Sequence, residues 1–172
     1  MPTLETERLI LRPLGEADLG DFAAIVADPE VQRFMHGGPQ NRAQAWRQMA
    51  IFRGHDALRG FSQNAVVERS SGRLLGRAGL WRPEGWPGLE VGWVLARDAW
   101  GRGFATEAGL AWRDWAFDVL GADDLISVIN PDNAASIRVA ERIGHVYRES
   151  RYVTDGDFAI YGQRRPSPPA GS

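Results

Sequence analysis

The stretch "LEVGWVLARDAWGRGFATEAGLAW", Leu89 to Trp112, passes from a strand pattern through a pair of glycines into a helix pattern. At its start Leu89, Val91, Trp93 and Leu95 alternate with other residues, so they share one face of an extended strand and Glu90 points to the opposite one. Gly101 and Gly103 then bracket Arg102, and from 104 to 120 the residues Leu110, Trp112, Trp115, Ala116 and Val119 recur at helical spacing up to Gly121. Where a strand enters a helix in this way, the first N–H groups of the helix have no internal partners and the helix dipole adds partial positive charge. Such a turn suits an anion. Glycine permits close approach of the backbone, Arg102 adds a cation whose donors match phosphate oxygens, and Thr106 offers a hydroxyl in the first turn. On these residues alone a plain helix-entry turn remains an equal reading. The turn lacks both the Gly-Lys-Ser/Thr ending of a P-loop and the third glycine of the dinucleotide fingerprint.

Working outward, "LISVIN", ending at Asn130, is a short apolar strand, and Asp132 or Asn133 caps a helix running to Ile143 with Gly144 beyond it. Strand, turn, helix, strand and helix in that order form a crossover unit within a mixed sheet. Two further strands are expected around Asp155-Gly156. Upstream, "TERLILRPL" alternates as a first strand. Leu19, Phe22, Ala23, Val26 and Val31 then take helical spacing, with Pro29 opening a second turn. A helix over 42–58 follows through Ala45, Met49 and Phe52, and a hairpin turns at Ser70, Ser71 and Gly72. The loop at 82–88 and the segments before it carry Phe34, Met35, His36, Trp46, Trp81 and Trp86, aromatic and sulfur-bearing side chains suited to core packing or to the wall of a substrate site. The reading is one α/β domain over 1–165. Residues 166–172, "PSPPAGS", form a tail too rich in proline and small residues to pack.

Composition narrows the function. A chain of 172 residues buries one core, and its net charge of -2 gives no concentrated basic surface for nucleic acid or an anionic membrane. No apolar run approaches the roughly 18 residues of a membrane span and no leader pattern opens the chain, so the expected location is cytoplasmic. Without cysteine there is no disulfide, thiolate metal site or cysteine nucleophile. Three scattered histidines suggest no metal.

The segments "LEVGWVLARDAWGRGFATEAGLAW" and "VINPDNAASIRVAERIG" together resemble the coenzyme A binding core of the GNAT acetyltransferase superfamily, in particular its ribosomal-protein-alanine acetyltransferase-like branch. The resemblance runs from "TERLILRPL" to about residue 165, and the family signature falls on Trp100 to Ala105, departing from it at Trp100. It implies a splayed, mostly antiparallel sheet flanked by helices, opened by a bulge for which Gly92 is the candidate, and acetyl-CoA as co-substrate. The N–H groups of Arg102, Gly103, Ala105 and Thr106, with Gly101 in the turn, would hold the pyrophosphate. Backbone groups at Val94 and Leu95 would pair with the pantetheine arm. Asn130, Asn133 and Ser136 would lie along that arm and the thiol end, although their types also suit plain capping.

Acetyl transfer to an amine requires a base for the ammonium, donors for the oxyanion and a proton for the leaving thiolate. The candidate base is Glu90, directly or through water, with a plain surface-facing strand glutamate as the alternative reading, and the oxyanion donor is a backbone N–H near Trp93 or Val94. The tyrosine that many superfamily members use as acid falls on Ala140, so Ser136 with help from Asn130 takes that place. The acceptor would be a protein N-terminus or a small amine, and a homodimer fits the family. A non-catalytic acyl-CoA binder is the alternative.

Overall fold

In the computed structural model, which describes residues 2–35, 37–154 and 156–166, the alternating and helical patterns become a sheet between two helical layers. The order is β1 (Leu4–Glu5), β2 (Leu9–Arg12), α1 (Leu19–Ala27), α2 (Pro29–Gln32), α3 (Arg42–Arg59), β3 (Gln63–Glu68), β4 (Leu74–Trp81), β5 (Glu90–Leu95), α4 (Phe104–Asp118), β6 (Asp124–Ile129), α5 (Ala134–Arg142), β7 (Val146–Val153) and β8 (Gly156–Arg164). The strands lie in the order β1-β2-β3-β4-β5-β6-β8-β7. Every pairing is antiparallel except β5 with β6, the two strands joined through α4. His36, Asp155 and the tail at 167–172 lie outside the described residues.

The two larger cores lie on the two sheet faces, and a smaller one gathers Ile126, Val153, Phe158 and Ile160. On one face Leu9, Leu11, Val91 and Leu95 pack against Phe104, Ala108, Trp112 and Ala116 of α4. On the other, Ala65, Val67 and Val94 meet Phe22 and Val26 of α1 and Met49 and Phe52 of α3. The buried stripe of α4 thus runs at every fourth residue. Val119, expected in that stripe, is 68% exposed, because the helix ends at Asp118 and the chain turns away.

The expected bulge at Gly92 is absent. From Gly76↔Leu95 to Trp81↔Glu90 the β4–β5 register is unbroken. A register shift occurs one strand earlier, between Val66↔Gly76 and Val67↔Leu74, leaving Leu75 as the extra residue of β4. One consequence is that Arg77, Gly79 and Trp81 face the α1–α3 side while Ala78 and Leu80 face α4.

Candidate active site

The sheet opens between β5 and β6, and two side chains account for the opening. The strands share a single bridge, Glu90↔Ile126, with the Ile126 N–H donating to Leu89 O at 2.9 Å. In a continuing parallel ladder the Val128 N–H would next donate to Val91 O. Instead the Ser127 hydroxyl donates to Val91 O at 2.7 Å, and the Val128 N–H turns to Glu90 Oε1 at 3.4 Å. The ladder stops there. Residues 93 to 95 of β5 are left with an edge facing a cavity of about 640 Å³.

Alternation decides which backbone groups face that cavity. Val91 O and Leu95 O receive the Ser127 hydroxyl and the Trp100 indole N–H (2.8 Å), so the N–H and C=O of Trp93 share this edge. Val94, expected to offer its backbone here, has it directed at β4 opposite Arg77, with its carbonyl crowding Gly76. That is a correction to the backbone assignment. Leu95 lies on the cavity edge, but its carbonyl is occupied by Trp100.

At one end of the cavity stands the glycine turn. Gly101 and Gly103 have φ of 72° and 83°, in the left-handed region where a side chain is strained. Gly103 is the N-cap of α4 and supplies no side-chain cap, so the first N–H groups of the helix, at Phe104, Ala105 and Thr106, meet the cavity that these residues line. Arg102 departs from expectation. Its guanidinium donates from Nη2 to Glu68 Oε1 at 2.9 Å, and Arg102 is not among the residues that line the cavity.

The first turn of α5 forms the adjoining wall, where Asn130, Asn133 and Ser136 come together. Both asparagines are partly committed to the backbone: Asn130 Oδ1 accepts from the Asp132 N–H at 2.9 Å, and Asn133 Oδ1 caps the helix by accepting from the Ser136 N–H at 3.1 Å. The open choice of cap falls on Asn133. Ser136 is among the residues that line the cavity. Ala140 is fully buried and is not among them.

Glu90 sits where the strands part. Its Oε2 accepts from the Trp86 indole at 2.8 Å. Burial pushes its carboxyl up to about 7, outweighing the hydrogen bonds from Trp86 and Val128 and the positive charge of Arg77. Phe34, Met35, Trp81 and Trp86 line this end of the cavity, whereas Trp46 is 48% exposed and donates to Glu16 at 3.3 Å. The sequence reading missed Arg77, Gln63 and Ser127. For Arg77 and Ser127 the available signal was a polar side chain inside a strand otherwise built of small and apolar residues, "LLGRAGL" and "LISVI"; Gln63, which opens β3 beside Asn64, carried no such signal.

The acetyltransferase (GNAT) domain model matches residues 8–146. The protein YkkB of Bacillus subtilis (strain 168) is 29% identical over 164 residues, 94% of this chain and 95% of its own. The uncharacterized N-acetyltransferase p20 of Bacillus licheniformis is 29% identical over 141 residues, 81% of this chain and 79% of its own. A crystal structure of the acetyltransferase from Agrobacterium tumefaciens str. C58 shares the fold with a TM-score of 0.86 and 33% identity over 95% of each chain. Fold, sequence and the reach of the domain match agree, and the chain belongs to the GNAT acetyltransferase family.

Proposed function

We propose that this acetyltransferase moves the acetyl group of acetyl-CoA to a primary amine by direct attack within a ternary complex. The observation that carries the reading is the placement of Glu90 at the point where β5 and β6 separate, on a cavity that also receives the uncapped start of α4. The cradle suits a pyrophosphate, since it combines two glycines in left-handed conformation with unpartnered N–H groups at a positive helix end. The Trp93 edge then offers an amide-rich arm a strand to pair with.

In this reading Glu90 accepts the proton of the incoming ammonium, and a carboxyl near 7 is suited to that task at neutral pH. The amine nitrogen bonds to the thioester carbonyl carbon while the Trp93 N–H donates to the carbonyl oxygen. The carbon–sulfur bond then breaks, the Ser136 hydroxyl, assisted by the Asn130 amide, hydrogen-bonds to the departing thiolate, and the second proton released by the amine nitrogen passes to that sulfur to give the free thiol. Thiol release from acetyl-CoA across a panel of primary amines tests the proposal. Amine-dependent release that falls in Glu90→Gln is the expected result. Acetyl-CoA binding by calorimetry without release on any amine would overturn it.

A further inference from the structure

The sheet face that carries Glu90 holds a second charge that acetyl transfer itself does not use. Register places Gln63 opposite Gly79, Gly79 opposite Gly92, and Arg77 opposite Val94, so Gln63, Arg77 and Glu90 rise from one face. Between them Gly92 leaves the floor bare. A Cβ there would stand 3.3 Å from Glu90 Oε1 and 3.7 Å from Gln63 Nε2, so both side chains lean over the gap.

Arg77 is 8% exposed and lines the cavity. Its Nη1 donates to Gln63 Oε1 at 2.7 Å, and Gln63 is itself fixed by donating from Nε2 to Gly79 O at 3.0 Å. Phe52 lies with its ring centroid 5.2 Å from the guanidinium carbon. The Nε has no hydrogen-bond partner, and among the described residues no carboxylate stands at ion-pair distance. A guanidinium buried against one neutral amide is costly unless an anion completes it. Burial lowers its pKa to about 10 against the opposing charge of Glu90, which leaves it cationic at neutral pH.

Glu90 and Arg77 therefore face one cavity with opposite charge, their strand positions four residues apart, ~13 Å along the backbone, a gap that both long side chains shorten. Gln48 of α3 adds an Oε1 without a partner on the same cavity, an acceptor for an N–H. This arrangement complements a molecule that carries both an ammonium and a carboxylate.

We propose that Arg77 is a specificity residue that receives the carboxylate of the acceptor, so that the amine acetylated belongs to an amino acid or another small amino-carboxylate; this rests on the reaction proposed above. A polyamine would bring a cation to Arg77, and a peptide N-terminus would bring a neutral amide.

The test compares matched acceptors in the thiol-release assay: phenylalanine with phenethylamine, leucine with isoamylamine, and spermidine as the polyamine. In the wild type, kcat/KM for the amino acid exceeds that of its decarboxylated partner by at least about 30-fold, the ratio expected for loss of a buried charge pairing. Measured well above pH 7, where Glu90 is ionised with or without the Arg77 charge, Arg77→Gln raises KM for the amino acid by a similar factor with a much smaller effect on the decarboxylated amine, while Arg77→Lys recovers part of the preference. The wild-type comparison stands even where a variant fails to fold. Equal or better use of the decarboxylated amines or of spermidine sinks the carboxylate assignment while leaving acetyl transfer standing. Release on no amine at all removes both.

Discussion

Glu90 accepts hydrogen bonds from an indole and a backbone amide and shares its surroundings with a guanidinium, yet burial still lifts its carboxyl to about 7. A base must be ionised to accept a proton, so kcat/KM for the amine rises as pH increases through about 7 and levels above it. Glu90→Gln should lose about 10²- to 10⁴-fold and also lose this ascending limb. Trp86→Phe gives a finer check: removing a donor that lowers the Glu90 pKa should move the limb to higher pH. Profiles at subsaturating amine read both effects, and a wild-type profile without a limb near neutrality would exclude Glu90 as the base. The identity of Glu90 was legible because strand alternation turns it away from Val91 and Leu95. Its titration was not, because Trp86, Val128 and Arg77 come from a loop and two other strands.

At the scale of elements, the turn before α4 is braced from the far end of the chain. Arg8 donates from Nη1 to Arg102 O at 2.9 Å and from Nε to Glu107 Oε2 at 2.7 Å, while the Thr6 hydroxyl donates to Glu107 Oε1 at 2.5 Å. Burial alone would raise the Glu107 carboxyl, but the donors from Thr6 and Arg8 hold it below the ordinary range. Arg8→Ala should therefore loosen the cradle. KM for acetyl-CoA should rise severalfold with kcat little changed, and stability should fall by only about 1 kcal/mol, since Arg8 is half-exposed. An unchanged KM would show that the brace does not shape the turn. From the sequence, Glu107 reads only as a favourable first-turn charge, because a partner about a hundred positions earlier leaves no local signal. The opening of the sheet was hidden in the same way. Glycine at 92 pointed to a bulge, whereas the structure interrupts the ladder with the Ser127 hydroxyl, a residue that inside "LISVI" looks like ordinary strand polarity. Strands and helices themselves were legible, since their periodicity is imposed by burial on one face, and Val119 failed only because it lies past the last turn of α4.

Over the whole molecule, charge from three elements converges on a histidine that has no part in the proposed chemistry. His145 is 1% exposed; its N–H donates to Ala140 O at 2.9 Å as α5 ends, and neither ring nitrogen has a hydrogen-bond partner. Burial first, and then the charges of Arg148 on β7 and Arg113 on α4, lower its pKa to about 4 against the opposing pull of Asp124 on β6. The unfolded chain binds this proton from pH 6.5 downward and the folded chain only near 4, so stability is complete above 6.5 and falls through that window, by about 3 kcal/mol at its foot. Glu90 acts in the opposite sense, because the folded carboxyl takes its proton near 7, before the unfolded one, and acidification then favours the folded state. A single wild-type stability profile would mix the two. Comparison with His145→Met, an apolar side chain of similar volume, cancels the Glu90 contribution and isolates the ring. Urea unfolding of both proteins should give similar stability at about pH 7.5 and a variant more stable by about 2 kcal/mol near pH 4.5. Parallel profiles across that range would mean that the ring gains a proton inside the fold without penalty, and that the converging arginines do not govern it.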